Sequence, residues 1–137
     1  MSSDRSGIDT GEAERQAMNA LDNFMTAFNA RDLQAWRNTL NYPHLRISGT
    51  GALTIARTPE EYASGMDFER FAKSIGWDHS EWDYRKIIHS TLEKVHLDVQ
   101  FSRYNKDSEK ISTYKAIYIV TNQDGCWGVM FRSSYAP

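Results

Sequence analysis

Lys94-Val95-His96-Leu97-Asp98-Val99-Gln100-Phe101-Ser102 decides the fold. Val95, Leu97, Val99 and Phe101 alternate with His96, Asp98, Gln100 and Ser102, the period of two that gives a strand one apolar and one polar face. Asn105 to Lys110 then supplies the Asn, Asp, Ser and charge of a turn, and Ile111 to Thr121 resumes a run of β-branched and aromatic residues. Asp124-Gly125 marks a second reversal. Beyond it Trp127, Val129 and Phe131 alternate with Gly128, Met130 and Arg132. Three long strands joined by short polar links predict an antiparallel meander, the wall on which the rest is built.

Upstream of this wall the pattern changes period. Residues 1–11 are Ser, Asp, Arg and Gly with almost nothing apolar, a polar tail that joins no core. Ala13, Ala17, Ala20, Leu21, Phe24, Met25 and Phe28 then recur every three or four residues, the stripe of an amphipathic helix that covers a sheet. Asp32 caps a second, shorter helix in which Leu33, Trp36 and Leu40 share a face. Asn41-Tyr42-Pro43 stops it, because proline cannot continue a helix and pushes Tyr42 toward extended geometry. His44 to Ser48 therefore starts a strand, and Gly49-Thr50-Gly51 turns the chain into a second short one, Ala52 to Arg57. Thr58-Pro59-Glu60-Glu61 reads as a capping box, opening a helix that continues, interrupted near Gly65, to Gly76. Trp77 to Asp83 is dense in aromatics and acids, and an extended run from Trp82 to Thr91 leads into the meander.

Composition narrows the function classes. At 137 residues, 40% hydrophobic and 25% charged, the chain fits a single domain over 12–137 that buries a core without metals or disulfides. A net charge of −2 supplies no basic field for a phosphate backbone, which argues against nucleic acid. No apolar run approaches the roughly 18 residues that span a bilayer, and Met1 to Gly11 lacks the apolar stretch of a secretory signal. The single cysteine, Cys126, has no internal partner. These features point to a cytoplasmic protein, and nothing in the sequence calls for a cofactor.

The order of long helix, short helix, strand pair, capped helix and long antiparallel strands is an α+β arrangement. Together with Asn23-Phe24-Met25-Thr26-Ala27-Phe28-Asn29-Ala30-Arg31-Asp32, Tyr42-Pro43-His44-Leu45-Arg46-Ile47 and Asp124-Gly125-Cys126-Trp127-Gly128-Val129, it resembles the NTF2-like (SnoaL-like, cystatin-like α+β) superfamily, in an uncharacterised bacterial branch. The resemblance covers roughly residues 12 to 136. It implies a cone in which N-terminal helices pack on a strongly curved, mainly antiparallel sheet and leave a pocket. It also implies a homodimer formed through the convex face of the sheet. The superfamily includes ketosteroid isomerases, scytalone dehydratase, limonene-epoxide hydrolases, polyketide cyclases and transport adaptors, so fold alone does not name a reaction.

A ketosteroid-isomerase mechanism needs a carboxylate base on the first strand, yet no Asp or Glu lies between Asn41 and Arg57. Ser48, nearest that position, cannot replace it. The paired carboxylates of the epoxide hydrolases have no clear match either. Dehydratase members use pocket histidines, which brings His44 and His79 forward as candidate acid–base residues. His44 opens the first strand and shares a face with Arg46; a strand-edge histidine bonded to backbone is the plainer alternative. His79 lies between two tryptophans and close to acids, and a solvated loop position is its plainer alternative. His89 and His96 read as surface or interface residues. Arg46, Trp36, Trp77, Trp82, Tyr118 and Arg132 are the candidate ligand-binding residues, for a small, mostly apolar molecule. Arg132 contributes only if its side of the last strand is concave. No metal site is expected, since no two histidines stand four apart and there is no cysteine pair. Two functions stay open: a dehydratase, isomerase or cyclase, and a non-catalytic ligand-binding or protein-interaction module.

Overall fold

The structure is a computed structural model and describes residues 9–135. Of the polar tail expected over 1–11, residues 1–8 lie outside the described residues, while Thr10 is buried and Gly11 begins the first helix. The elements run α1 (Gly11–Asn29), α2 (Leu33–Arg37), β1 (Leu40–Ile47), β2 (Leu53–Ala56), α3 (Phe68–Ile75), β3 (His79–Ser90), β4 (Lys94–Tyr104), β5 (Lys110–Gln123) and β6 (Cys126–Ser134). Six strands form one sheet in the order β2-β1-β6-β5-β4-β3, antiparallel throughout except for β1 against β6. The meander read from the alternation is present as β4, β5 and β6. Val95, Leu97 and Val99 are fully buried on its inner face.

Helix α1 crosses that inner face along β3. Ser90 Oγ donates to Glu14 Oε2 at 2.6 Å, Arg85 reaches Asp22 at 2.6 Å, and Trp82 Nε1 donates to the Leu21 carbonyl at 3.3 Å. At the far end, Asn29 closes a reciprocal pair with the Ser80 backbone, both bonds 2.8 Å. The buried stripe changes character along the helix: Ala13, Ala17 and Ala20 give way to Leu21, Phe24 and Met25. Small residues let the first half lie close to the sheet. Bulky rings hold the second half away from it, and the space of the cone opens there.

Two helix-cap assignments hold in detail. Asp32 Oδ1 accepts from Ala35 N at 3.0 Å, and Gly76 ends α3 in the left-handed region at φ 70°, where a side chain would be strained. The helix expected from Thr58, interrupted only near Gly65, is corrected. One of the two capping bonds forms, Glu61 N donating to Thr58 Oγ1 at 3.3 Å, while Glu61 Oε1 accepts from Arg57 N at 2.8 Å, one residue before the cap. Yet positive φ at Ala63 and Gly65 breaks the segment into consecutive turns, and α3 starts only at Phe68 with Asp67 as its cap. The consequence is positional. A turn rather than a helix carries Tyr62 inward, fastened by Arg37 Nε to the Tyr62 carbonyl at 2.9 Å.

Candidate functional site

Residue parity on β6 sets the site. Val120 pairs with Val129 and Ile119 with Phe131, so Met130 is an extra residue, a bulge in the ladder. A regular strand would put Val129 and Arg132 on opposite faces. The bulge puts both inside, and Arg132 then lies beside Arg46 of β1 in the parallel register. Strand β1 is also irregular between Leu40 and Leu45, where Gly128 permits close approach: a Cβ there would stand 2.9 Å from the Leu40 carbonyl carbon and from Asn41 Oδ1.

That close approach seats His44, which is 2% exposed. Its Nδ1 lies 2.9 Å from the Val129 carbonyl, which can only accept, so Nδ1 carries the proton. Nε2 is left with its lone pair, and Arg132 Nε donates to it at 3.2 Å. Burial first, and then the positive Arg132, push the His44 pKa down to about 3. His44 is therefore a neutral ring at physiological pH whose two nitrogens both already have partners.

Arg132 extends from this support into a partly enclosed cavity. Its Nη2 donates to the Tyr62 hydroxyl at 2.6 Å, and its guanidinium lies 5.7 Å from the Phe24 ring. Burial opposes its charge, but the Tyr62 and Tyr118 oxygens outweigh this and raise its pKa further, so it stays cationic. The cavity measures about 280 Å³. Phe24, Met25 and Phe28 of α1, Trp36 of α2, Tyr62, Met66 and Phe71 form its helical side. Ser80, Phe101, Arg103, Tyr118, Arg46 and Arg132 form its sheet side. Edge-to-face contacts brace the rings, among them Phe28 to Trp36 at 4.9 Å and Trp36 to Tyr62 at 5.0 Å.

Four of the six ligand-binding candidates line this cavity: Arg46, Trp36, Tyr118 and Arg132. Trp82 stands one layer behind, its ring 6.4 Å from Phe24 and 5.7 Å from Tyr118. Trp77 is 2% exposed and is built into the core under α3, donating to Ser80 Oγ at 2.9 Å. His44 sits behind Arg132 and Tyr62 and is not part of the lining.

His79 opens β3 at a different place. Asp78 Oδ2 is 2.9 Å from its Nδ1 and Glu81 Oε2 is 3.0 Å from its Nε2, while the ring stacks on Tyr104 at 5.2 Å. The hydrogen bond to Asp78, with help from Glu81, raises its pKa. It does not line the cavity.

Arg103 was not among the candidates, although one further step of the alternation through Val99 and Phe101 turns it inward. Among the described residues, no cluster of three or more His, Cys, Asp and Glu side chains is arranged to hold a metal ion. No helix among them is long and apolar enough to cross a membrane.

The sequence matches the family described as NTF2-like protein (DUF6841) over residues 13–136. The chain belongs to that NTF2-like family. Solved structures similar to this NTF2-like chain come from bacteria and agree on the fold. A protein of unknown function with a cystatin-like fold from Nostoc punctiforme PCC 73102 has a TM-score of 0.72 at 15% identity, over 91% of each chain. An NTF2-like protein of unknown function from Pseudomonas putida KT2440 gives 0.71 at 16% identity, over 96% of this chain and 90% of that one. A ketosteroid isomerase-like protein from Erwinia carotovora atroseptica SCRI1043 gives 0.66 at 15% identity, over 93% and 99%. No match was found among curated proteins.

Proposed function

We propose that this NTF2-like protein binds a small organic molecule in its cone. The observation that supports this is the cavity itself: about 280 Å³ of space walled by packed aromatic rings, with Arg132 and Tyr62 directed at it as an oriented polar pair. Ligand sites commonly join a mostly apolar lining to a few fixed polar groups, in volumes of roughly 300–1,000 Å³. At about 280 Å³ this cavity falls just below that range, which suits a one-ring compound.

His44 takes the role of a support in this proposal. With its pKa near 3 and both nitrogens engaged, it orients Arg132 rather than exchanging protons. One observation favours a catalytic reading of the dehydratase, isomerase or cyclase kind. The Tyr62 hydroxyl accepts from a guanidinium and is left with its own proton to donate, the arrangement that stabilises an oxyanion.

The sheet's other face supports a second copy as partner. Leu45, Ile47, Ile117, Ile119 and Phe131 are half-buried there and continue into the exposed Leu53 and Ile55. We propose that a homodimer forms through it.

Titration of one-ring compounds against the intact protein, followed by tryptophan fluorescence and thermal shift, tests the ligand reading. Saturable binding that Trp36→Leu weakens about tenfold is expected, because that indole forms part of the wall. A folded protein that binds none of them sinks the proposal.

A further inference from the structure

The cavity is apolar in its rings yet one-signed in its charge. Arg46, Arg103 and Arg132 line it, and among the described residues no Asp or Glu does. Among the described residues, none of these three arginines has a carboxylate within ion-pair distance. Their protein partners are neutral: Ser134 Oγ at 3.3 Å for Arg46, the Tyr114 hydroxyl at 3.3 Å for Arg103, and His44 with Tyr62 for Arg132. Arg103 Nε is buried with no acceptor among the described residues.

Such an arrangement is costly. Cations removed from water are normally paired with anions, and two of these stand directly opposite each other on β1 and β6. The sequence does not lack acids to neutralise them, with 18 Asp and Glu residues, but none of the described ones is placed here. His44, bonded to Arg132, stays a neutral ring, so it adds no third positive charge but supplies no negative one either.

Building on the proposed ligand reading, we infer that the missing counter-ion is the ligand: a small organic carboxylate. Its carboxylate lies between Arg46 and Arg132, and its ring-sized apolar body rests among Phe24, Phe28, Trp36 and Phe101. Arg132 is suited to this because His44, Tyr62 and Tyr118 hold it in place while engaging only part of its five N–H donors. Arg46, bonded only to a serine hydroxyl, turns toward an incoming oxygen at little expense.

A charge series of one shape tests the inference: benzoate, benzamide and benzamidine, titrated by calorimetry at one ionic strength into wild type, Arg46→Met and Arg132→Gln. Benzoate is expected to bind at least about tenfold tighter than benzamide, and benzamidine not measurably. Arg46→Met is expected to reduce the benzoate-to-benzamide ratio to about threefold or less, while its own unliganded melting temperature rises, since a repulsion between cations is relieved. A purely structural arginine gives the reverse, a lower melting temperature with the ratio kept. Equal binding of benzamide and benzoate to wild type overturns the carboxylate inference and leaves a neutral-ligand cavity standing. Absence of binding across all three compounds overturns this inference together with the reading on which it rests. If Arg132→Gln does not fold, the wild-type series and Arg46→Met still decide the matter.

Discussion

His44 and His79 lie in one small domain and have opposite electrostatics. At the wall, His44 is sealed behind Arg132, hydrogen-bonded on both nitrogens, and driven toward neutrality by burial and neighbouring cations. At the start of β3, His79 is clasped by Asp78 and Glu81 and drawn toward the charged form. The difference teaches that a histidine's use is set by what its second nitrogen meets. Given an arginine, the ring becomes a fixed acceptor; given a carboxylate, its protonated form is favoured.

Removing the wall histidine tests the contrast most severely. His44→Ala leaves the Val129 carbonyl and Arg132 Nε buried without partners, and we expect a loss of about 3 kcal/mol in urea unfolding. His44→Gln, which restores one donor and one acceptor, should recover part of it.

Acid comes next. The folded pKa of His44, about 3, lies below the ordinary 6.5, so the unfolded chain binds the extra proton between those values. Stability from this group is complete above pH 6.5 and is lost as pH falls toward 3, by an amount on the order of a few kcal/mol. The unfolding midpoint of wild type should therefore fall through that window more steeply than that of His44→Gln. A matching slope in both proteins would remove His44 from the account.

His79 gives the smallest effect, with the opposite sign. His79 has a raised pKa, so its contribution is complete below pH 6.5 and disappears as pH climbs through the raised value. Its carboxylate partners are largely exposed, and His79→Gln should cost less than about 1 kcal/mol at pH 6, diminishing with added salt. A loss larger than that of His44→Ala would invert the comparison.

Much of the fold was legible in the sequence because alternation and helical stripes are local signals. Val95 to Phe101 announced β4 and its buried face, and Asp32 and Gly76 announced helix ends. Thr58 to Glu61 announced the bond from Glu61 N to Thr58 Oγ1, though the Glu61 carboxylate returns to Arg57 N instead. It did not announce that Ala63 and Gly65 would adopt positive φ and turn a helix into successive turns, because backbone reversal at an alanine has no residue signature.

The site was harder to read for a related reason. Arg46, Trp36, Tyr118 and Arg132 were identifiable as residue types suited to a cavity, but their convergence depends on irregularities in two strands. Trp77 shows the limit from the other side: an aromatic beside acids looks like a mouth residue, and only packing reveals that Phe28 and Phe71 enclose it. Arg103 required nothing beyond the alternation already recognised.

Met130 has one more consequence, for sequence comparison across this family. Inside and outside exchange their odd and even numbers at that residue, so counting forward from Trp127 assigns Phe131 to the interior and Arg132 to solvent. Among structures that share only 8–16% identity with this one, a gap set one column away would convert a cationic wall into a greasy one on paper. Comparison of ligand chemistry between such structures must be aligned on Tyr118 and Arg46, the residues paired with Arg132 in the ladder.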